Sequence, residues 1–318
     1  MDLLADVVSI GGVHGTVGAR IEGAEPWALQ WPDRPSAGFY ALTSGTALLG
    51  VAGREPLRLQ CGDVVLLPSG LRHVIGSHRG AMTPAYDPIA LEAAQRRGEI
   101  LQVGTGEVTA RILAATYSQD PVVSTQVLAR LPEVVHLRSA SLGNSVDESV
   151  SLLARELAEP QLGSAIVLNR VVDVLLVQLL RVWLATRPEA ARRTWLGVLG
   201  DPLLTTAVTL LHTDPARRWT TELLAAELGV SRATLTRRFV GTTGRGPSAY
   251  LTHWRTDLAA RRLRDTDDTL ESIARSVGYA SGRAFSRAFS QIRGQSPGRF
   301  RTESRSTLPR MDRALVSD

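Results

Sequence analysis

The last hundred residues of this 318-residue chain contain the same unit twice. Glu222-Leu223-Leu224-Ala225-Ala226-Glu227-Leu228-Gly229 returns as Glu271-Ser272-Ile273-Ala274-Arg275-Ser276-Val277-Gly278, 49 residues later. Ser231-Arg232-Ala233-Thr234-Leu235-Thr236-Arg237-Arg238-Phe239 returns as Ser281-Gly282-Arg283-Ala284-Phe285-Ser286-Arg287-Ala288-Phe289, 50 residues later. Gly244-Arg245-Gly246-Pro247-Ser248-Ala249-Tyr250 then matches Gly294-Gln295-Ser296-Pro297-Gly298-Arg299-Phe300. Three matched blocks in one order mark a duplication, so this region must fold as two copies of one small unit.

Each copy has a physical reading. A first helix carries Leu224, Ala225 and Leu228, or their mates, and stops at Gly229 or Gly278, where glycine tolerates the left-handed turn. After the turn, the hydroxyl of Ser231 or Ser281 can cap a second helix. In that helix Leu235 and Phe239, or Phe285 and Phe289, are four apart and share one side. Arg232, Ala233, Thr236 and Arg237 lie on the other side, as do Gly282, Arg283, Ser286 and Arg287. Helix, glycine turn and capped basic helix make a helix-turn-helix, whose second helix can enter the DNA major groove. Pro247 suits the first turn of a helix running to about Arg264. Tyr250, Leu251, Trp254, Leu258 and Leu263 are expected to pack it against both units and fix their spacing. A plain helical bundle with solvated arginines would account for one such unit but not for two in tandem.

Charge follows the same division. Residues 1–200 hold 17 Arg against 19 Asp and Glu, whereas residues 201–318 hold 19 Arg against 12. Only the back of the chain is suited to a polyanion. All 36 basic residues are Arg. With 44% hydrophobic and 21% charged residues, disorder and fibrous repeats are excluded. The single Cys61 excludes an internal disulfide and any multi-cysteine metal centre. The first residues lack the basic and apolar regions of a secretory signal. The apolar stretch from Ile166 to Leu184 is broken by Arg170, Asp173 and Arg181, which reads as a buried helix rather than a membrane span. A cytoplasmic protein with no membrane partner is expected.

The length favours two domains. From Pro26 to Val74 short apolar runs alternate with turn residues: Gly38–Leu42, Thr46–Val51 and Asp63–Pro68 read as strands of a sandwich or small barrel. Leu101–Ala115 and Val134–Leu137 add further strands. After Ser145 the period becomes helical, over Asp147–Leu157 and then Ser164–Ala185. The second helix is apolar nearly all round, so it needs cover from its own domain or from a second subunit. Thr186–Asp201 reads as a connector or as a short helix of the same bundle. The expected organisation is α+β and multidomain. It comprises a sensor domain over 1–140, a helical dimerisation and linker region over 141–200, an all-α DNA-binding domain over 201–302 and a flexible tail over 303–318.

The back of the chain, from about Trp219 to Arg301, resembles the AraC/XylS family of bacterial transcription regulators. The resemblance is carried by Ile273-Ala274-Arg275-Ser276-Val277-Gly278-Tyr279-Ala280-Ser281, by Phe285-Ser286-Arg287-Ala288-Phe289 and by Gly294-Gln295-Ser296-Pro297-Gly298-Arg299-Phe300-Arg301. It implies two helix-turn-helix units joined by a long helix and entering successive major grooves of double-stranded DNA. A homodimer is expected separately, through the Ser164–Ala185 helix within residues 1–200, and RNA polymerase is the expected partner of an activator. Base-edge candidates are Ala233, Thr236 and Arg237 in the first unit and Gly282, Arg283, Ser286 and Arg287 in the second, with Arg232 beside them. Arg suits paired hydrogen bonds to guanine O6 and N7, Thr and Ser serve several bases, and Ala233 offers only a methyl. Gly282 offers no side chain.

The front is similar to the cupin-type sensor domain of one branch of that family. Gly62-Asp63-Val64-Val65-Leu66-Leu67-Pro68-Ser69-Gly70-Leu71-Arg72-His73 fits the second cupin motif, G-x5-P-x-G-x2-H. The first motif's metal-binding His-x-His is absent: Phe39-Tyr40-Ala41 stands there, with Tyr40 where many members carry His. His73 alone cannot hold a metal, which wants three or more protein ligands. No cofactor and no catalytic residue are therefore expected. An unidentified small-molecule effector is assigned to the barrel, with Tyr40 and His73 as polar contacts and Trp27 or Trp31 as walls. Two alternatives stay open: a redox response through Cys61, which would need a low thiol pKa and access, and a metal-dependent cupin enzyme with an appended DNA-binding part. His14, His78, His136, His212 and His253 are scattered and are assigned no role.

Overall fold

A computed structural model of the chain describes residues 3–81, 100–119, 128, 131–139, 144–159, 161–191 and 195–306. The described residues divide into two compact units: those between 13 and 191, and residues 3–12 with 195–306. Helix α1 (Leu3–Ile10) thus groups with the back of the chain.

Among the described residues the first unit is a curled, cupin-like sheet of nine strands: β1 (His14–Ala24), β2 (Ala28–Trp31), β3 (Ala37–Val51), β4 (Leu57–Gln60), β5 (Val64–Leu67), β6 (His73–Gly76), β7 (Ile100–Val103), β8 (Val108–Ser118) and β9 (Val135–Leu137). The main path runs β2-β6-β3-β8-β1-β7. The two runs expected as separate strands, Gly38–Leu42 and Thr46–Val51, are one 15-residue strand. Its first half pairs with β5 and β8, its second with β4 and β6. Between the halves the register against β8 shifts, between Leu42 and Ser44; Gly45 follows with φ 77°, and its Cβ would lie 1.9 Å from the Thr109 carbonyl oxygen. Only glycine allows that conformation and that approach.

Side chains alternate across a strand, and here they sort accordingly. Trp27, Leu29, Tyr40, Leu42, Leu49, Val65, Leu67, Ile75 and Ile112 fill the inside of the curl. Each such burial stabilises by roughly 1.5–3 kcal/mol. Phe39 and Tyr117 meet edge to face on the other side, with centroids 6.1 Å apart. That side is covered by helix: α2 (Asn144–Ala158) packs on α3 (Ser164–Thr186), which lies on β1. The Tyr117 hydroxyl donates to the Val172 carbonyl at 3.0 Å, and the Gly15 amide donates to Asp173 at 2.8 Å. Asp63, buried at the turn before β5, accepts from His136 Nε2 at 3.0 Å and from the Gln60 and Ser139 amides at 3.1 Å. A short helix, α4 (Pro188–Ala191), ends this unit.

The second unit is all helical. A 3₁₀ turn (Trp195–Gly200) leads to α5 (Pro202–Thr213), α6 (Thr221–Glu227), α7 (Arg232–Thr243), α8 (Pro247–Asp265), α9 (Leu270–Ser276), α10 (Gly282–Arg293) and α11 (Pro297–Ser306). Residues 303–306 of the expected tail continue α11, and the remainder lies outside the described residues. Two cores divide α8 between them. Leu204, Val208, Leu211, Leu224, Leu235, Phe239 and Leu251 form the first, with Leu3 of α1. Ala259, Ala260, Leu263, Ile273, Phe285, Phe289 and Phe300 form the second. Among the described residues no helix is long and apolar enough to cross a membrane.

Candidate nucleic-acid interface and sensor cavity

The duplication in sequence is a duplication in hydrogen bonding. Thr220 caps α6 by accepting from the Leu223 amide at 3.0 Å, and Thr269 caps α9 by accepting from Ser272 at 3.2 Å. Ser231 caps α7 through Thr234 at 3.1 Å, and Ser281 caps α10 through Ala284 at 3.2 Å. Gly244 and Gly294 end α7 and α10 in the left-handed conformation. The caps satisfy amides that would otherwise be orphaned at the helix starts.

Leu235 and Phe239 anchor α7, and Phe285 and Phe289 anchor α10; all four are buried. Burying that face turns the opposite one to solvent. Arg232, Ala233, Arg237, Arg283 and Arg287 are exposed there, with Thr236 and Ser286 half-buried beside them. Arg237, Arg283 and Arg287 make no hydrogen bond or ion pair to the described residues. Arg232 differs: it meets Glu222 at 2.8 Å, both largely exposed. Gly282 differs further. It is buried, and its amide donates to the carboxylate of Glu271, the repeat counterpart of Glu222, at 2.6 Å. A Cβ there would approach that carboxylate to 3.1 Å. The matched acid therefore holds a guanidinium in one repeat and a helix amide in the other.

Contacts that no local pattern signals hold the two motifs together. His212 of α5 lies flat on Trp254 of α8, with ring centroids 3.5 Å apart, and its Nε2 is 2.9 Å from the Tyr250 hydroxyl. Burial pulls its pKa down to about 3, so the ring is neutral. Asp257, fully buried in α8, pairs with Arg293. The one sequence signal for Asp257 is its place three residues after Trp254 on the buried side of α8.

In the curled sheet, three of the four residues assigned to the sensor meet. Trp31, Tyr40 and His73 line a cavity of about 20 Å³ together with Arg34, Gly70 and Thr116. His73 Nδ1 is 2.6 Å from the Leu71 carbonyl oxygen, which can only accept, so Nδ1 carries the proton. Nε2 then accepts from the Tyr40 hydroxyl at 2.7 Å. Burial lowers His73 to about 4 and raises Tyr40, so both are neutral near pH 7. Trp27 is fully buried with its ring against Gly23, away from this lining. A cupin metal does not fit these residues: both His73 nitrogens are engaged. Among the described residues no group of three or more His, Cys, Asp or Glu could hold a metal ion. Cys61 is exposed, and its Sγ donates to the Thr43 carbonyl at 3.3 Å.

Comparison with known proteins agrees with both units. Residues 2–185 match the cupin family, and residues 224–303 match a helix-turn-helix domain family. A Streptomyces lividans protein described as an AraC-like transcription regulator is 35% identical over 95% of this chain and 98% of its own length. The HTH-type transcriptional regulator MtrA of Neisseria gonorrhoeae is 28% identical over 95% of this chain and 99% of its own. The DNA-binding domain of AdpA, solved with a target DNA, is 31% identical over 35% of this chain and 99% of that one, at a TM-score of 0.33. The chain belongs to the AraC-like DNA-binding transcription regulators, with a cupin-type front and a double helix-turn-helix back.

Proposed function

We propose that this regulator reads an asymmetric site of two unlike half-sites about one helical turn apart. One observation carries the reading: two identically capped helices expose arginines with no partner among the described residues, and their matched positions differ. Arg237 in one unit and Arg283 and Arg287 in the other are the base-reading groups, with Thr236, Ser286 and Ala233 beside them. Arg232, already paired to Glu222, serves the phosphate backbone. Gly282 makes no base contact, because its amide and its side are taken by Glu271.

A small organic effector in the cupin-type unit would tune this binding, and self-association would occur through α3. The cavity beside Trp31, Tyr40 and His73 supports the first part. At about 20 Å³ it has room for one water, so a larger effector must widen it. That widening is the means by which binding would favour one arrangement of the protein over another. Where the regulator activates, RNA polymerase is the further partner.

The test is selection from random duplexes with the full-length protein. Two distinct motifs at fixed spacing are expected, with affinity falling steeply with salt. A single motif, or two identical half-sites one turn apart within the stretch that one chain covers, overturns the reading; a palindrome of two such unlike pairs is what a two-fold dimer would select. For the sensor, compounds that raise the melting temperature of wild type should fail on Tyr40→Phe and shift DNA affinity in wild type alone.

A further inference from the structure

The glycine that ends the first helix of each motif has different surroundings in the two copies. Gly229 and Gly278 both hold left-handed backbone, with φ 65° and 87°, as the turn demands. A Cβ on Gly229 would meet nothing within 4 Å. On Gly278 it would come 2.7 Å from the Ala216 carbonyl oxygen and 2.8 Å from the Arg255 guanidinium. The turn of the second motif is thus seated on the loop that precedes the first.

Arg255, in the middle of α8, completes that contact. Its Nε donates to the Pro215 carbonyl at 2.6 Å and its Nη2 to the Arg217 carbonyl at 2.8 Å. The same guanidinium lies 5.8 Å from the centre of the Tyr279 ring. The loop it grips is braced. The Arg217 amide and the Trp219 indole both bond to Asp214 at 3.0 Å, and the Arg217 guanidinium lies 4.1 Å over the Trp219 ring. One planar fork can donate to two carbonyls and face an aromatic ring together, which a lysine ammonium cannot do.

We propose that Arg255 and Gly278 form a latch that fixes the distance and rotational phase between α7 and α10. They would thereby set the half-site spacing that the regulator accepts. The proposal rests on the reading of two half-sites above. The first core ends on α8 at Leu251 and the second begins at Ala259, so bending of α8 between them would move one reading helix relative to the other. The latch sits on that stretch and ties it sideways. Arg255 is a positioning residue here, acting through the two motifs rather than on DNA.

The experiment uses full-length protein and the site it selects, with the half-sites moved together or apart by one base pair. One base pair shifts the second half-site by about 3.4 Å and about 35°. Wild type should therefore lose about tenfold or more in affinity. Arg255→Ala, Arg255→Lys and Gly278→Ala should bind the best spacing about tenfold more weakly, yet bind the displaced sites nearly as well as wild type does. Gly229→Ala carries the same backbone penalty without the contact and should keep the wild-type spacing preference. Equal weakening on all three spacings by Arg255→Ala, with rescue by Arg255→Lys, would make Arg255 a phosphate contact and overturn the latch. So would a wild-type preference that survives in every variant, or a Gly229→Ala that loosens spacing as Gly278→Ala does. A wild type indifferent to spacing overturns the two-half-site reading and the latch with it.

Discussion

Arg293, the last residue of α10, donates to Asp257 in the middle of α8 at 2.5 Å, and the two side chains are 10% and 0% exposed. The pair ties the second reading helix to the helix that joins the motifs. Removing one partner leaves a charge in a low-dielectric interior, which costs about 3–5 kcal/mol. Asp257→Ala should lower the unfolding free energy of the full chain by that amount in urea titrations. Asp257→Leu combined with Arg293→Met should recover most of it, because an apolar pair carries no desolvation penalty. A single-variant loss under about 1 kcal/mol would mean that Arg293 is satisfied without Asp257.

Arg237 and Arg287 occupy matched positions on the exposed faces of α7 and α10. Changing each to Ala should cost roughly 1–3 kcal/mol and relax base preference in its own half-site only. Arg232→Ala breaks an exposed pair with Glu222 and should weaken all sequences alike. Affinities on duplexes varied one base at a time separate the cases. If Arg237→Ala or Arg287→Ala weakened every duplex equally, that arginine would be a phosphate contact.

These positions were legible because the signals that build them are local. The serine cap, the glycine stop and two apolar residues four apart sit within a dozen residues, and duplication displays them twice. The cupin motif likewise placed His73, and Tyr40 by its offset from the missing His-x-His. Other features depend on partners distant in the chain. Thr43-Ser44-Gly45 reads as a break between strands, but the neighbours β4, β5, β6 and β8 make it a register shift within one. Trp27 and Trp31 lie four residues apart, yet only Trp31 reaches the cavity, because β2 pairs with β6 and sets Trp31 opposite His73. Arg255 resembles any other arginine until Pro215, some forty residues earlier, is folded against it.

His212 gives the DNA-binding unit a pH dependence with a definite sign. Its folded pKa is lowered to about 3 by burial, against about 6.5 in an unfolded chain. Between those values the unfolded state binds more protons, so stability falls as pH drops through the window. This one group should cost about 2 kcal/mol between pH 7 and pH 5. His212→Phe, which keeps a flat ring on Trp254, should remove that part of the slope in denaturation at the two pH values. An unchanged slope would show that His212 is protonated equally in both states.

Helix α3 buries Val172, Leu175, Leu176, Leu179, Leu180 and Trp183 against its own unit. That cover is incomplete: Ile166, Val167 and Val174 remain 70%, 40% and 50% exposed. Val167 and Val174 are seven apart and so lie on one face, two turns from each other. Exposed aliphatic groups repeated along a face gain by meeting a second copy, and a symmetric pairing of α3 with itself would cover both. Light scattering of the full chain should therefore give the mass of two chains at micromolar concentration. Val167→Glu with Val174→Glu should give the mass of one, because each interface would then bury four carboxylates without partners. Both positions face solvent in the single chain, so the double change should leave its melting temperature close to wild type. A wild type that scatters as one chain of 34.3 kDa would reject the dimer outright. A double variant that still scatters as two would move the interface off α3.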